Sequence, residues 1–413
     1  MSDPTREAAY DLLTATLERH RPLEEALDAL SGLEPRDRAA GHRLAAAVLR
    51  RTGSLDAVLE PHLKKAPPPQ VMNILRIGAA GLILLDTPRH AAVATAVELT
   101  RTRGLSPFSG LVNAVLRKVS DTGAVALEGL DGPRLDTPPW LWTAWGNEAR
   151  AIAKANTHEA PLDLSLRPGA TPPAEAVPLP TGSWRCPAGT RVMELEGFES
   201  GDLWVQDAAA ALPAMLLAAQ PGERVADLCA APGGKTAQLA MTGAHVTAIE
   251  SNPSRIVRLR ENLARLRLDV EVIQADATLW QPPELFDAVL LDAPCSATGT
   301  IRRHPDILHL KRPRDIQGLM PQQDRLIDAA FAMLKPGGRL IYAVCSLQPE
   351  EGVQRVAAAT ARRDLRTEPF TATDLPGLPE ALSRQGQLRT TPAMWPDRGG
   401  MDGFFAGRMV RFR

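Results

Sequence analysis

The chain has 413 residues, 44% of them hydrophobic, and a net charge of −1. That length predicts two or three domains with real cores, and the charge balance excludes a bulk polycation, so any nucleic-acid contact has to come from local patches. No apolar run reaches the roughly 18 residues of a membrane span, Met1–Tyr10 carries two acids and no apolar h-region, so no secretory signal is expected, and the four cysteines (Cys186, Cys229, Cys295, Cys345) form no C-x-x-C pair.

The cysteine spacing speaks against a disulfide framework or a metal site, and for a reduced cytoplasm. From about residue 4 to 120 the pattern is all-helical: Tyr10, Leu13 and Leu17 recur at helical spacing, as do Leu44, Val48 and Leu49. Val71 to Leu85 is apolar on nearly all sides and predicts a central buried helix. Basic residues gather at Arg36, Arg38, Arg43, Arg50 and Arg51; composition alone would read them as a solvated helix face. Residues 123–139 are rich in Gly and Pro and read as a linker after a domain at 1–122. A small α+β segment is expected over 140–207, with a helix at Trp140–Trp145 and strands at Leu162–Leu166 and Arg191–Leu195.

From 208 onward strands and helices alternate, which predicts a doubly wound, Rossmann-like α/β domain over 208–413. Its first strand, Val225–Leu228, runs into Cys229, Ala230, Ala231, Pro232, Gly233, Gly234 and Lys235. A phosphate-binding P-loop would need glycine at the position of Cys229, and the G-x-G-x-x-G dinucleotide fingerprint is absent. A nucleoside cofactor without a phosphate tail remains. The next strand, His245–Glu250, ends in a carboxylate suited to ribose hydroxyls. S-adenosylmethionine fits that pair of features better than ATP or NAD.

Further strands are expected at Val270–Asp276, Phe286–Asp292 and Arg339–Ser346, with Phe404–Phe412 as an antiparallel partner. Asp276 suits an adenine amino group or a helix cap, and Asp292 faces cofactor or substrate. Cys295 and Cys345 lie beyond neighbouring strand ends. Carbon 5 of cytosine is too weak a nucleophile to take a methyl group unaided. A thiolate adding at carbon 6 activates it, a carboxyl group on the ring nitrogen offsets the developing charge, and a base then removes the carbon-5 proton. Which thiol would attack is left open by the residues themselves.

Two resemblances extend this reading. The segments around Arg6, Ile74–Leu82 and Val112–Arg117 resemble the NusB-like RNA-binding domain, which implies a helical bundle whose basic face contacts RNA. D-L-C-A-A-P-G-G-K-T (Asp227–Thr236), L-D-A-P-C-S-A-T-G-T-I-R-R-H-P-D (Leu291–Asp306) and C-S-L-x-P-E-E (Cys345–Glu351) resemble the RsmB (Sun/Fmu) family of RNA cytosine-5 methyltransferases. That resemblance implies S-adenosylmethionine bound by Cys229–Lys235, Glu250, Asp276 and Asp292. It makes Cys345 the nucleophile and Cys295 the thiol that assists product release; Asp292 is the candidate for the carboxyl group that the chemistry above requires. It also implies small-subunit ribosomal RNA as partner, with Arg302, Arg303 and His304 beside the target base and Arg36, Arg38, Arg50 and Arg51 on the RNA-binding face. An RNA-binding assembly or antitermination factor without catalysis, and a transfer-RNA or DNA cytosine-5 methyltransferase, are the alternatives. Ala297 stands where the family pattern has Gly, Val344 where it has Thr, and Leu166–Pro168 where a segment normally carries Asn.

Overall fold

The structure, a computed structural model, describes residues 3–412. Its chain divides into two compact units, Met1–Glu159 with Ile301–Arg312, and Ala160–Thr300 with Pro313–Arg413.

The first unit is helical, as its spacing predicts. Helices α1 (Pro4–Leu17), α2 (Leu23–Asp28), α3 (Pro35–Arg50), α4 (Thr52–Leu59), α5 (Pro69–Ile83), α6 (Arg89–Thr102) and α7 (Ser109–Thr122) follow one another. Proline opens α1, α3 and α5, where the missing N–H has no partner to lose. Asp3 caps α1 by accepting from the Arg6 N–H at 3.2 Å. The central helix is α5, which buries Val71, Ile74, Leu75, Ile77, Ala79 and Ala80. Each large apolar side chain taken out of water there is worth about 1.5–3 kcal/mol. Gly78 lets α7 come close, because a Cβ at that position would lie 2.4 Å from Leu116.

Residues 123–139 are not a free linker. Pro133 and Pro139 start short helices, α8 (Gly132–Leu135) and α9 (Pro139–Trp145), and α10 (Ala149–Asn156) follows in the same unit. Between the first two, Asp136 accepts from the Ser54 N–H (2.6 Å), the Ser54 hydroxyl (2.7 Å) and Arg51 Nε (2.8 Å), which fastens the segment to the start of α4. The expected α+β segment is therefore split, its helical part lying with the bundle and its strands with the second unit.

The second unit begins with a small antiparallel sheet of β1 (Leu162–Leu166), β2 (Val177–Pro178), β3 (Trp184–Cys186) and β4 (Leu203–Val205), in the order β2-β3-β1-β4. The strand expected at Arg191–Leu195 is instead a short 3₁₀ turn, Val192–Glu194, which pairs with no strand. Beyond α11 (Ala208–Leu217) the chain builds β5 (Arg224–Leu228), α12 (Gly234–Ala240), β6 (His245–Glu250), α13 (Pro253–Arg265), β7 (Glu271–Gln274) and β8 (Phe286–Asp292). The short helix α14 (Ile307–Leu310) belongs to the first unit, and α15 (Pro313–Met333), β9 (Leu334–Val344), α16 (Val353–Arg362), β10 (Leu365–Thr367), β11 (Leu388–Arg389) and β12 (Phe405–Arg411) complete the second.

The large sheet runs β10-β12-β9-β8-β5-β6-β7, with β11 paired to β12. Pairs among β5 to β9 are parallel, and β12 lies antiparallel to β9 with Phe405 opposite Val344. Alternate residues serve two cores. Ala288, Leu290, Ile341 and Ala343 pack on the α11 side, whereas Val289, Leu291, Leu340, Tyr342 and Val344 pack against Leu326, Ile327 and Ala330 of α15. Burial on both faces is why these strands read as unbroken apolar runs. β5 has β6 on one side and β8 on the other, so the strand order reverses there, and a ligand cleft is expected beyond the carboxyl ends. Among the described residues no helix is long and apolar enough to cross a membrane.

Candidate functional site

Every catalytic and cofactor residue expected from the sequence lies at or just beyond the carboxyl end of β5, β6, β7, β8 or β9. After β5 the chain turns through Cys229 at φ 61° and Gly233 at φ 104° before α12 begins. Glycine suits the φ of Gly233, and a Cβ there would push on the Leu259 side chain, 2.7 Å away. From α13, Arg255 Nη2 donates to the Ala231 carbonyl (2.6 Å) and Asn262 Nδ2 to that of Pro232 (2.9 Å), which fixes the loop from outside.

Glu250 ends β6. One carboxylate oxygen accepts from the Asn252 N–H at 3.0 Å. The other is buried and makes no hydrogen bond, although Arg255 Nη1 lies 3.3 Å away at ion-pair distance. A buried acceptor left open beside a tight turn fits the hydroxyls of a ribose, so the residues present suit a nucleoside cofactor. Asp276 is exposed beyond β7, where one of its oxygens accepts from the N–H (2.8 Å) and hydroxyl (2.7 Å) of Thr278; those bonds hold its pKa down.

Asp227, on β5, is buried, accepts from the Thr236 hydroxyl at 2.6 Å and has its other oxygen unpartnered. Burial pushes its pKa up to about 7, against the hydrogen bond from Thr236 and the charge of Lys235. Unfolded, the same carboxyl titrates near 3.8. Between those values the folded protein holds a proton that the unfolded chain has released, so this group's contribution to stability is lost as pH rises. Above pH 7 the cost is about 4 kcal/mol. Asp227→Asn is expected to be more stable than the parent at pH 8 and closer to it at pH 5, as read by urea unfolding at both values.

Lys235 leaves α12 toward Asp292 at the end of β8, with Nζ 2.7 Å from Oδ2 and 5.2 Å above the Phe404 ring. Burial works against this ammonium, but the charge and hydrogen bond of Asp292 outweigh it, and the lysine pKa is raised. Sequence reasoning placed Lys235 in the cofactor loop and did not pair it with the acid.

The two thiols meet: Cys295 Sγ is 3.4 Å from Cys345 Sγ. The hydrogen bond to Cys345, then burial and the negative charges of Cys345 and Glu351, push the Cys295 thiol well up. The loops are joined further along, where Gly299 N–H donates to the Cys345 carbonyl (3.0 Å) and Leu347 N–H to Thr298 Oγ1 (3.1 Å). Ala297 has φ 58°, the left-handed region, which explains why glycine suits the position. Ala297→Gly is expected to raise stability by about 1 kcal/mol in denaturant unfolding, because relief of that conformation exceeds the added chain entropy. Val344 is buried in β9, so an apolar residue there leaves no unpaired hydroxyl.

The arginines divide. Arg36 and Arg303 are exposed, His304 is half-buried, and half-buried Arg38 lies 3.9 Å from Asp28. Three expected RNA contacts need correction. Arg50 is only 7% exposed and donates to the Arg302 carbonyl at 2.9 Å. Arg302 is 1% exposed. Arg51 is held by Asp136 inside its own unit. Arg50 and Arg302 cannot reach a phosphate from where they lie, and Arg51 is committed to the fold. The segment that follows the Cys295 loop is tied into the helical unit by further bonds. The Leu23 N–H donates to Asp306 (3.0 Å), and His309 Nε2 lies 2.8 Å from the Leu49 carbonyl.

Comparison with known proteins agrees with this layout. Residues 214–410 match the family model described as 16S rRNA methyltransferase RsmB/F, and residues 3–121 match the NusB family model. A protein of Xanthomonas campestris named ribosomal RNA small subunit methyltransferase B is 36% identical, over 89% of this chain and 90% of its own. A Pseudomonas putida protein of the same name is 35% identical over 98% of each. The crystal structure of PH0851 shares the fold with a TM-score of 0.75 over 99% of both chains, at 21% identity. With a NusB-type helical unit, and a methyltransferase sheet whose strand ends suit S-adenosylmethionine, the chain belongs to the RsmB/F family of 16S rRNA methyltransferases.

Proposed function

We propose that this protein methylates carbon 5 of a cytosine in 16S ribosomal RNA, through a covalent bond between Cys345 and carbon 6 of the base. One observation carries the reading. Two sulfurs lie 3.4 Å apart at the ends of β8 and β9, on strand ends shared with the Lys235–Asp292 pair. Methylation of a ribose hydroxyl or an exocyclic amine needs no thiol, and two would be unexplained.

In this reading the Cys345 thiolate adds to carbon 6, and electron density moves to carbon 5 and the ring nitrogen. Asp292, ion-paired with Lys235, helps offset that charge as it develops, with the Lys235 ammonium as the source of any proton delivered through the carboxylate. S-adenosylmethionine would be held by the Cys229–Lys235 loop, Glu250, Asp276 and Asp292, and would supply the methyl group as an electrophile, leaving as S-adenosylhomocysteine. Cys295, its own proton given up to solvent once the adduct has formed, then takes the carbon-5 proton, the bond between the Cys345 sulfur and carbon 6 breaks, and Cys345 is regenerated. The helical unit supplies RNA contacts, with exposed Arg36 and Arg303 as phosphate partners. A target paired in a helix would first have to unstack at a cost of a few kcal/mol, so a loop or junction cytosine is expected.

The test is methyl transfer from labelled S-adenosylmethionine to 16S rRNA, free and in assembling subunits, followed by nucleoside analysis. All label should appear in 5-methylcytidine. Label in any other nucleoside would end the proposal.

A further inference from the structure

The motif that begins at Cys345 ends at Glu351, a carboxylate that the chemistry above does not use. Glu351 is 0% exposed. Its Oε1 accepts from the Ser296 N–H (2.9 Å) and Gln323 Nε2 (3.1 Å), and its Oε2 from the hydroxyls of Ser296 and Ser346 (2.5 Å to the latter). Ser296 follows Cys295, and Ser346 follows Cys345. The two hydroxyls lie 3.1 Å from each other. The Glu351 carbonyl accepts from Tyr342 O–H at 2.6 Å, which ties it to β9, and Gln323 of α15 also donates to the Pro294 carbonyl at 3.0 Å. One buried side chain therefore grips the residue next to each thiol.

A carboxylate costs several kcal/mol to bury unless its oxygens are fully hydrogen-bonded. Here both are, by donors from three separate parts of the chain. Charge-assisted bonds of this kind are short and directional, so they fix the two loops in register. We propose that Glu351 is a positioning residue that splints the Cys295 and Cys345 loops and sets the distance between their sulfurs. Its catalytic consequence rests on the roles given above to the two thiols; the splint itself does not.

The test uses the full-length protein as Glu351→Ala, Glu351→Gln and Ser346→Ala, with two readouts. In the first, diamide oxidises the two thiols to a disulfide while its own N=N bond takes up both electrons and both protons. The Cys295–Cys345 peptide pair is then counted by mass spectrometry, which reports proximity whether or not the enzyme turns over. Glu351→Ala should form it at least about tenfold more slowly than the parent, with Glu351→Gln and Ser346→Ala between, since each keeps part of the network. In the second, kcat for methyl transfer should fall about 100-fold in Glu351→Ala, the scale expected when reacting groups move by about 1 Å. KM for both substrates should stay within about twofold, and Glu351→Gln should recover much of the loss. Parental disulfide formation in Glu351→Ala, or lost kcat with that rate unchanged, overturns the proposal. Slower disulfide formation in a protein whose parent makes no 5-methylcytidine upholds the splint and removes the reaction reading. Where Glu351→Ala does not fold, Glu351→Gln and Ser346→Ala decide by the same two measurements.

Discussion

Replacing Cys345 by alanine is expected to lower methyl transfer by about 10⁴-fold or more, the scale on which a covalent nucleophile is lost. Affinity for S-adenosylmethionine should hardly move. The cofactor residues follow β5 to β8, whereas Cys345 follows β9 and its sulfur meets that of Cys295. Removing it therefore deletes the bond to carbon 6 and leaves Glu250, Asp276 and the Lys235–Asp292 hydrogen bond in place. Label transfer to rRNA measures the first quantity, and equilibrium dialysis of the cofactor the second. A protein that binds cofactor as before and transfers nothing fits the covalent route. One that transfers at the parental rate excludes attack by Cys345, and a dead Cys295→Ala beside it would then give the attacking role to Cys295.

What could be read in advance depended on whether a feature is local in the chain. The turn after β5 announces itself through Pro232, Gly233 and Gly234 between an apolar run and a helical one, and the structure puts α12 at Gly234. Glu250 and Asp292 are the terminal residues of strands whose ends coincide with the expected ones. The thiols are 50 positions apart, yet their meeting was legible, because each follows a buried strand and β8 and β9 are parallel neighbours.

Features made by convergence were not legible. Nothing in the spacing of Lys235 and Asp292 says that an ammonium from α12 reaches the end of β8, and nothing ties Glu351 to Ser296. Burial of individual arginines was hidden for a similar reason. Arg50 and Arg51 are adjacent in sequence at the end of α3, but one bonds a backbone carbonyl from the segment after Cys295 and the other an aspartate beyond α8. Helix periodicity distinguishes faces, not partners. The unit boundary also escaped, since the 301–312 segment lies in the middle of the methyltransferase sequence and folds with the bundle. A reading that cuts the chain into consecutive pieces has no means of finding it.

Cys295→Ala should behave differently from Cys345→Ala: the enzyme should bond to RNA and fail to let go. In the free protein the hydrogen bond to Cys345, then burial, then the charges of Cys345 and Glu351 all oppose ionisation of Cys295. Once the Cys345 sulfur is bonded to carbon 6 it is a neutral thioether. The first of those causes weakens and the charge of Cys345 disappears, so the Cys295 pKa falls in the adduct, at the stage when a base is required. Formation of the adduct thus prepares its own release. Without Cys295, turnover should drop by about 10²–10⁴-fold, the range typical for loss of a general base, while a protein–RNA species that survives denaturing electrophoresis accumulates in the presence of S-adenosylmethionine. Cys345→Ala should form no such species. The electrostatic half of the argument can be checked without RNA: in Cys345→Ala, alkylation of Cys295 should reach its half-maximal rate at a lower pH than in the parent protein. An unchanged or higher midpoint would show that Cys345 does not hold the Cys295 proton in place, and release would then need another base.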